Sequence, residues 1–161
     1  GHRVPFIASW PGKIEPGSTS DQTLNLTDVM ATCAAIVGAE LPNQAAEDSE
    51  NLLPALVGTA PKEMIRPYTM HQTISLALAI RKGPWKYLDH KGSGGNSYAR
   101  PHLKPFALPD TAPEATGQLY NLQTDPGETI NLAGKYPEIV KELKAQLEQY
   151  KHSGRSVPLR K

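Results

Sequence analysis

The sequence predicts an α/β fold whose C-terminal part is α+β, a small antiparallel sheet packed against an amphipathic helix. Three observations predict it. Apolar side chains follow one stripe of a helix over residues 137–151, short strand candidates separated by turns precede that helix, and a shorter helical pattern lies nearer the N-terminus. Because a sheet and an amphipathic helix each have one apolar face to bury, we expect the two to pack together.

The C-terminal elements are the clearest. Strand candidates lie at residues 68–73, 76–82 and 85–90, and Gly83-Pro84 separates the last two as the turn of a hairpin. A fourth short strand is predicted over residues 118–122. The helix has Pro137 in its first turn, and its apolar stripe consists of Tyr136, Ile139, Val140, Leu143, Leu147 and Tyr150.

Two apolar segments organise the N-terminal part. Residues 4–10, closed by Pro11-Gly12, are typical of a buried strand followed by a turn. Residues 26–37 place apolar side chains three and four apart, with Gly38 after the end, which predicts a helix of about three turns. The single cysteine, Cys33, lies on that apolar stripe, so we expect it to be a buried, structural side chain.

A boundary is predicted at residues 61–67, where apolar periodicity stops and two prolines bracket charged residues. We therefore divide the chain into residues 1–60 and 61–161. Residues 91–116 are rich in glycine and proline and form a long loop, of the kind that is functional or mobile. This loop is the surface where we expect ligand choice to vary.

Composition excludes several function classes. Seventeen Lys and Arg against sixteen Asp and Glu give a net charge of +1 without a long run of one sign, so nucleic acid is not an expected partner. No apolar stretch approaches the roughly 20 residues that span a bilayer. The chain starts directly on the strand-like run, without an initiator methionine, and we expect that it begins inside a longer protein.

Residues that could carry chemistry do not form a recognisable set. The five histidines lack the paired spacing of a metal motif, so none is assigned as a ligand. Gly92-Ser93-Gly94 is interpreted as a flexible loop rather than a nucleophile turn. Residues 125–128 predict a turn stabilised by Asp125 rather than a calcium loop. The basic residues at positions 81, 82 and 86 are interpreted as a solvated strand face rather than an anion site.

Ordered phrases along the chain resemble one known family. They are residues 1–14 (GHRVPFIASWPGKI), 48–54 (DSENLLP), 79–87 (AIRKGPWKY), 119–132 (LYNLQTDPGETINL) and the final Gly154-Arg155-Ser156. In this order they resemble the C-terminal portion of formylglycine-dependent sulfatases, of the arylsulfatase and N-acetylgalactosamine-6-sulfatase type. The resemblance covers nearly the whole chain.

The resemblance implies a fold and a reaction. Residues 1–60 would complete a large α/β domain related to alkaline phosphatase, and residues 61–161 would form the C-terminal subdomain. The full-length enzyme would be a sulfuric ester hydrolase that uses calcium and a formylglycine made from Cys or Ser in a Cys/Ser-x-Pro-x-Arg motif. Cys33 is followed by Ala34-Ala35-Ile36 instead, so we assign no catalytic residue and no metal ligand to this chain, and we expect no cofactor in it. The isolated chain should be inactive.

The resemblance further implies partners and a location. The substrate would be a sulfated carbohydrate or an aryl sulfate, bound together with the N-terminal domain, and the enzyme would be periplasmic or secreted. His71 matches a position near the mouth of the pocket and is the one substrate-binding candidate, against the alternative of an ordinary strand histidine. Arg3 is interpreted as structural. We also expect an unpaired apolar edge in residues 4–10 to favour self-association.

Two alternatives stay open. The chain could be a carbohydrate-binding or scaffolding module that is not catalytic but derives from a sulfatase. It could also come from a phosphatase or phosphonate hydrolase of the same superfamily, which a different metal set would distinguish.

Overall fold

The structure, a computed structural model, describes residues 4–93 and 97–160. Its helices are α1 (Asp28–Val37), α2 (Leu53–Leu56) and α3 (Pro137–Ser153). Its strands are β1 (Tyr68–Gln72), β2 (Leu78–Lys82), β3 (Trp85–Leu88) and β4 (Gln118–Asn121), and Lys104–Phe106 form one 3-10 turn. The chain divides into unit 1, residues 1–69 and 150–161, and unit 2, residues 70–149.

The four strands form one sheet in the order β1-β2-β3-β4. Strand β3 is antiparallel to both β2 and β4. Lys82 pairs with Trp85 across the β2–β3 hairpin, and Gly83 accommodates the turn with a φ of 52°. The predicted small antiparallel sheet is therefore confirmed, with strand ends that differ from the sequence prediction by a few residues.

Helix α3 covers one face of this sheet within unit 2. Ile80, Tyr87 and Leu119 lie opposite one another on neighbouring strands, and all three are buried. Lys82 and Trp85 share that face, because side chains alternate along a strand. Lys82 donates to Glu142 of α3, and the Trp85 ring lies 5.1 Å from that of Tyr136, next to the start of the helix. Buried Leu143 and Leu147 complete the packing that the sequence predicts.

Unit 1 is built around a buried ion pair. Asp28, in the first turn of α1, has an exposed fraction of 0%, and Arg66 has one of 4%. The Asp28 carboxylate accepts hydrogen bonds from both the Nε and the Nη2 of Arg66, and from the backbone N–H groups of Asn25 at 2.7 Å and Glu50 at 2.9 Å. Arg66 also donates to the carbonyl oxygen of Asp48. One carboxylate thus joins three separate stretches of the chain.

The residues after α3 form a clasp, which we define as residues 155–160 bound to the loop at residues 42–48. Ser156 donates from its N–H and its hydroxyl to the Asp48 carboxylate, both at 2.8 Å. Arg160 donates to the carbonyl oxygens of Ala45 and Ala46 at 2.8 and 3.0 Å. Asn43 exchanges two hydrogen bonds with the Arg160 backbone. The clasp therefore closes unit 1 between residues more than a hundred positions apart.

Two predictions about the N-terminal part are wrong. Residues 4–10 form no strand, and Ile7 has an exposed fraction of 91%. A strand needs a hydrogen-bonded neighbour, and the described residues supply none here. Helix α1 begins and ends close to the predicted positions, but its apolar stripe faces outward and Cys33 is exposed. The buried face consists of Asp28, Ala31, Thr32 and Ala34, because the Arg66 pair determines which side of the helix lies inside.

The assignment of residues 1–60 and 61–161 to two parts of a larger fold stays a prediction, because units 1 and 2 describe only packing within this chain. Among the described residues, no helix combines the length and the apolar character needed to cross a bilayer.

Candidate functional site

The predicted substrate-binding residue, His71, lies on the edge strand β1. It is half-buried, and its Nε2 atom is inaccessible to solvent. Arg3, interpreted as structural, lies outside the described residues, and so does Gly94 of the glycine-serine segment. Gly92 adopts a left-handed φ of 68° in a turn. A role for His71 at a pocket rim stays a prediction.

The basic residues near the hairpin are already paired. Arg81 donates from Nε to the Gly83 carbonyl oxygen at 2.8 Å, and Lys82 donates to Glu142. Lys86 is buried and donates to both carboxylate oxygens of Glu128, at 2.8 and 2.9 Å. The interpretation of a solvated strand face is therefore wrong for Lys86, whose charge is neutralised inside unit 2.

The turn after β4 depends on Asp125, as predicted. Its carboxylate accepts hydrogen bonds from the N–H of Thr129 at 2.7 Å, the hydroxyl of Thr129 at 3.0 Å and the N–H of Ile130 at 2.9 Å. Slight burial raises the pKa of Asp125, but these hydrogen bonds outweigh it and hold the pKa below its ordinary value. The carboxylate is thus occupied in shaping the turn.

Two buried tyrosines are structural rather than catalytic groups. Burial, followed by the hydrogen bond that its hydroxyl donates to Asp89 at 2.9 Å, raises the pKa of Tyr87. Burial and the carboxylate of Glu128 raise the pKa of Tyr120 to about 12. Because both phenols stay protonated near neutral pH, neither serves as a base there.

The described residues do not fit the calcium and formylglycine that the resemblance implies for the complete enzyme. No group of three or more His, Cys, Asp or Glu side chains in residues 4–93 and 97–160 comes together in a way that could hold a metal ion. Cys33, on the exposed surface of α1, lacks the Pro and Arg of the formylglycine motif. We therefore derive no catalytic step through either group in this chain.

The long loop of unit 2 has an ordered, basic segment. We define the basic loop as residues 97–107, which contain Arg100, His102 and Lys104 and no acidic residue. Successive turns shape it: the N–H groups of Leu103 and Lys104 both donate to the Arg100 carbonyl oxygen, at 3.0 and 2.9 Å. Arg100, His102, Lys104 and Phe106 are all exposed. The sequence predicts the long loop, and the lack of acidic residues over residues 97–107 is the signal that could also have indicated this cluster.

Comparisons with known proteins support the resemblance to sulfatases, although no protein-family model matches the chain. The chain is 34% identical over 151 residues to an N-acetylgalactosamine-6-O-sulfatase of Bacteroides thetaiotaomicron, which covers 94% of the chain and 28% of that protein. It is 35% identical over 153 residues to human arylsulfatase A, covering 89% of the chain and 29% of that protein. The chain belongs to the sulfatase family.

Solved sulfatase structures are similar to this chain as well. One, from work on the metabolism of multiple glycosaminoglycans by Bacteroides thetaiotaomicron, superimposes with a TM-score of 0.70 at 32% identity, over 89% of this chain and 28% of that one. Sulfatases have the alkaline-phosphatase-like fold, and this chain corresponds to a C-terminal part of it, the four-stranded sheet with its helix. The chain spans about 28% of the length of the relatives it matches.

Proposed function

We propose that this chain is the C-terminal part of a sulfatase that hydrolyses sulfate esters of carbohydrates. The observation that carries the proposal is the 34% identity, over 94% of the chain, to a relative named for 6-sulfated N-acetylgalactosamine. In this proposal the complete enzyme provides formylglycine and calcium. Transition-state charge on a sulfate ester calls for preorganised cations and donors, so the chemistry depends on that centre.

The role of this chain is to complete the fold and the rim of the substrate pocket. Helix α1 and the turn before it support this role, because they carry exposed apolar side chains that no described residue of unit 1 covers: Leu26 in the turn, and Val29, Met30, Ile36 and Val37 on the helix. Contiguous apolar surface of this kind is typical of an interface. We propose that the remaining part of the sulfatase covers it, since the relatives are more than three times as long as this chain.

We expect the isolated chain to self-associate through the same surface, because the free energy falls when exposed apolar side chains are removed from water. Multi-angle light scattering on the purified chain should detect dimers or larger species. A Val29→Ser/Val37→Ser variant should shift the population toward monomer, whereas a control pair of serine substitutions at exposed polar positions, Thr19→Ser/Thr59→Ser, should not. A monodisperse wild-type monomer would contradict the apolar interface.

His71 is proposed to donate a hydrogen bond from Nδ1, since its Nε2 is inaccessible to solvent, to a sugar hydroxyl or a sulfate oxygen at the rim, and so to act on binding rather than on chemistry. In the complete enzyme, His71→Ala should raise KM several-fold with little change in kcat, and His71→Asn should retain part of the effect because its amide still donates. Equal KM values for the wild type and His71→Ala would leave His71 an ordinary strand histidine.

The decisive experiment uses the complete enzyme encoded by the gene of this chain, expressed with a formylglycine-generating enzyme and exported to the periplasm. It should release sulfate from 6-sulfated N-acetylgalactosamine, and replacement of its formylglycine precursor by Ala should abolish release. The present chain alone should release none from p-nitrophenyl sulfate. Absence of a Cys/Ser-x-Pro-x-Arg motif from the complete sequence, or turnover of phosphate esters in place of sulfate esters, would refute the proposal.

A further inference from the structure

The basic loop places two positive charges close together in sequence, an arrangement that does not stabilise the fold. Arg100 and Lys104 are four residues apart, and the hydrogen bond from the Lys104 N–H to the Arg100 carbonyl oxygen, 2.9 Å long, closes one turn between them. Two like charges at this spacing repel each other. No carboxylate among the described residues pairs with either side chain, so residues 4–93 and 97–160 do not compensate the repulsion.

An exposed aromatic ring follows directly. Phe106 ends the 3-10 turn Lys104–Phe106 and has an exposed fraction of 70%. A phenyl ring in water presents a flat apolar face with negative charge density, which suits the C–H groups of a sugar ring. The loop therefore offers two cations and one flat apolar surface within seven residues.

The long loop that contains the basic loop is anchored at both of its own ends. Lys91 Nζ donates to the Pro113 carbonyl oxygen at 2.6 Å, and Gln118 donates to the carbonyl oxygens of His90 and Gly92 at 2.9 and 2.8 Å. Pro101 and Pro105 fix their own φ angles within the loop. Such preorganisation lowers the entropy lost on binding.

From these observations we propose that the basic loop is a binding site for a sulfated carbohydrate. Arg100 donates through its planar fork to sulfate oxygens, Lys104 adds a second positive charge to the same group or to a neighbouring sulfate, and Phe106 packs on the sugar ring. The choice of a sulfated sugar rests on the proposed function, while the anion preference rests on the charges of the loop itself.

Binding to immobilised chondroitin 6-sulfate tests the site in the 161-residue chain. An Arg100→Gln/Lys104→Gln variant should bind roughly tenfold more weakly, which corresponds to ~1.4 kcal/mol. Lys62→Gln/Lys141→Gln is the matched control, because it removes two exposed cations elsewhere, and it should stay within about twofold of the wild type. Equal loss in both double variants would overturn the proposal, since it would reduce the site to net charge.

Two further arms separate a sugar site from a general polyanion site. Desulfated chondroitin keeps its carboxylates and should bind several-fold more weakly than the sulfated glycan. Polyglutamate should compete poorly, and Phe106→Ala should weaken glycan binding while Phe106→Tyr retains it, because the ring face is kept. Equal binding of polyglutamate, or an unchanged Phe106→Ala variant, would overturn the carbohydrate assignment.

The outcomes distinguish this site from the proposed function. If the complete enzyme releases sulfate and Arg100→Gln/Lys104→Gln leaves both KM and glycan binding unchanged, the basic loop is not a binding site although the enzyme is a sulfatase. If the chain binds the sulfated glycan through the loop but the complete protein hydrolyses no sulfate ester, the site stands and the hydrolase proposal fails.

Discussion

Removing the Asp28 carboxylate is the sharpest test of how unit 1 is held together. In an Asp28→Ala variant, Arg66 would keep its charge at an exposed fraction of 4% with its carboxylate partner gone. Two backbone N–H groups, of Asn25 and Glu50, would lose their acceptor as well. Breaking a buried ion pair from one side costs about 3–5 kcal/mol, because the remaining charge stays desolvated.

A loss of that size is a large share of the ~5–15 kcal/mol that stabilises a typical domain. Urea denaturation can measure it separately for unit 1, because Trp10 lies in that unit and a Trp85→Phe background removes the other tryptophan. In this background Asp28→Ala should lower the free energy of unfolding by about 4 kcal/mol, with little change in the slope against urea. Asp21→Ala, an exposed carboxylate of the same unit, is the matched control and should stay within about 0.5 kcal/mol.

A double variant tests the physical reason. Asp28→Leu/Arg66→Met removes both charges and keeps apolar volume, so it should be more stable than either single substitution. A loss below about 1 kcal/mol for Asp28→Ala, or a double variant that loses the sum of the two single losses, would refute the reasoning that a desolvated, uncompensated guanidinium dominates the energy.

Three other predictions concern local features. Gly117→Ala would place a Cβ 2.7 Å from the Leu88 carbonyl oxygen, so thermal unfolding should show a loss of about 2 kcal/mol, while Gly134→Ala, with nothing within 4 Å, should be near neutral. Asp125→Ala should cost about 1 kcal/mol at neutral pH. Because folding lowers the pKa of Asp125, this contribution is present above the unfolded pKa of about 3.9 and is lost as the pH falls through the folded pKa; a difference constant from pH 7 to pH 2 would contradict it. Cys33 is exposed on the outward face of α1, so a thiol reagent should titrate it as fully in the monomeric Val29→Ser/Val37→Ser variant as in urea, and a thiol of that monomer that fails to react would contradict the structure.

The C-terminal part was predictable because its signals are local. The alternation of residues 78–82 and 85–88 around Gly83-Pro84, and the stripe that includes Leu143 and Leu147, each determine an element and the face it buries. A hairpin and an amphipathic helix need only each other to bury those faces, so their packing could be inferred as well. The same holds for the Asp125 turn, where side-chain acceptor and backbone donors are at most five residues apart.

The predictions for the N-terminal part were wrong because its structure depends on contacts between residues far apart in sequence. Apolar spacing predicted that Cys33 and its neighbours would face inward, yet the buried side of α1 is determined by Arg66, thirty-eight positions after Asp28. A charged residue opposite an apolar stripe is ordinarily assigned to solvent, and periodicity alone contains no information about an ion pair so distant in sequence. The pairing of residues 4–10 depends in the same way on strands that the described residues do not provide.

The candidate site could be predicted only in part. The absence of a formylglycine motif around Cys33 is visible in the sequence, and the resemblance to sulfatases could be stated from ordered phrases. The basic loop was not found, because Arg100 and Lys104 become neighbours only when the loop folds into a turn. Single exposed cations are common on protein surfaces, so neither residue indicates a site until the backbone turn that joins them is known.

The clasp between residues 42–48 and residues 155–160 affects the order in which the polypeptide can acquire its structure during synthesis. Unit 2 is continuous in sequence, so it can fold as soon as Gln149 has left the ribosome. Unit 1 has to wait for Ser156 and Arg160, because their bonds to Asp48, Ala45 and Ala46 join the two separated stretches of that unit. Until those bonds form, the loop at residues 42–48 lacks its C-terminal partner, so this part of unit 1 is the last to be completed.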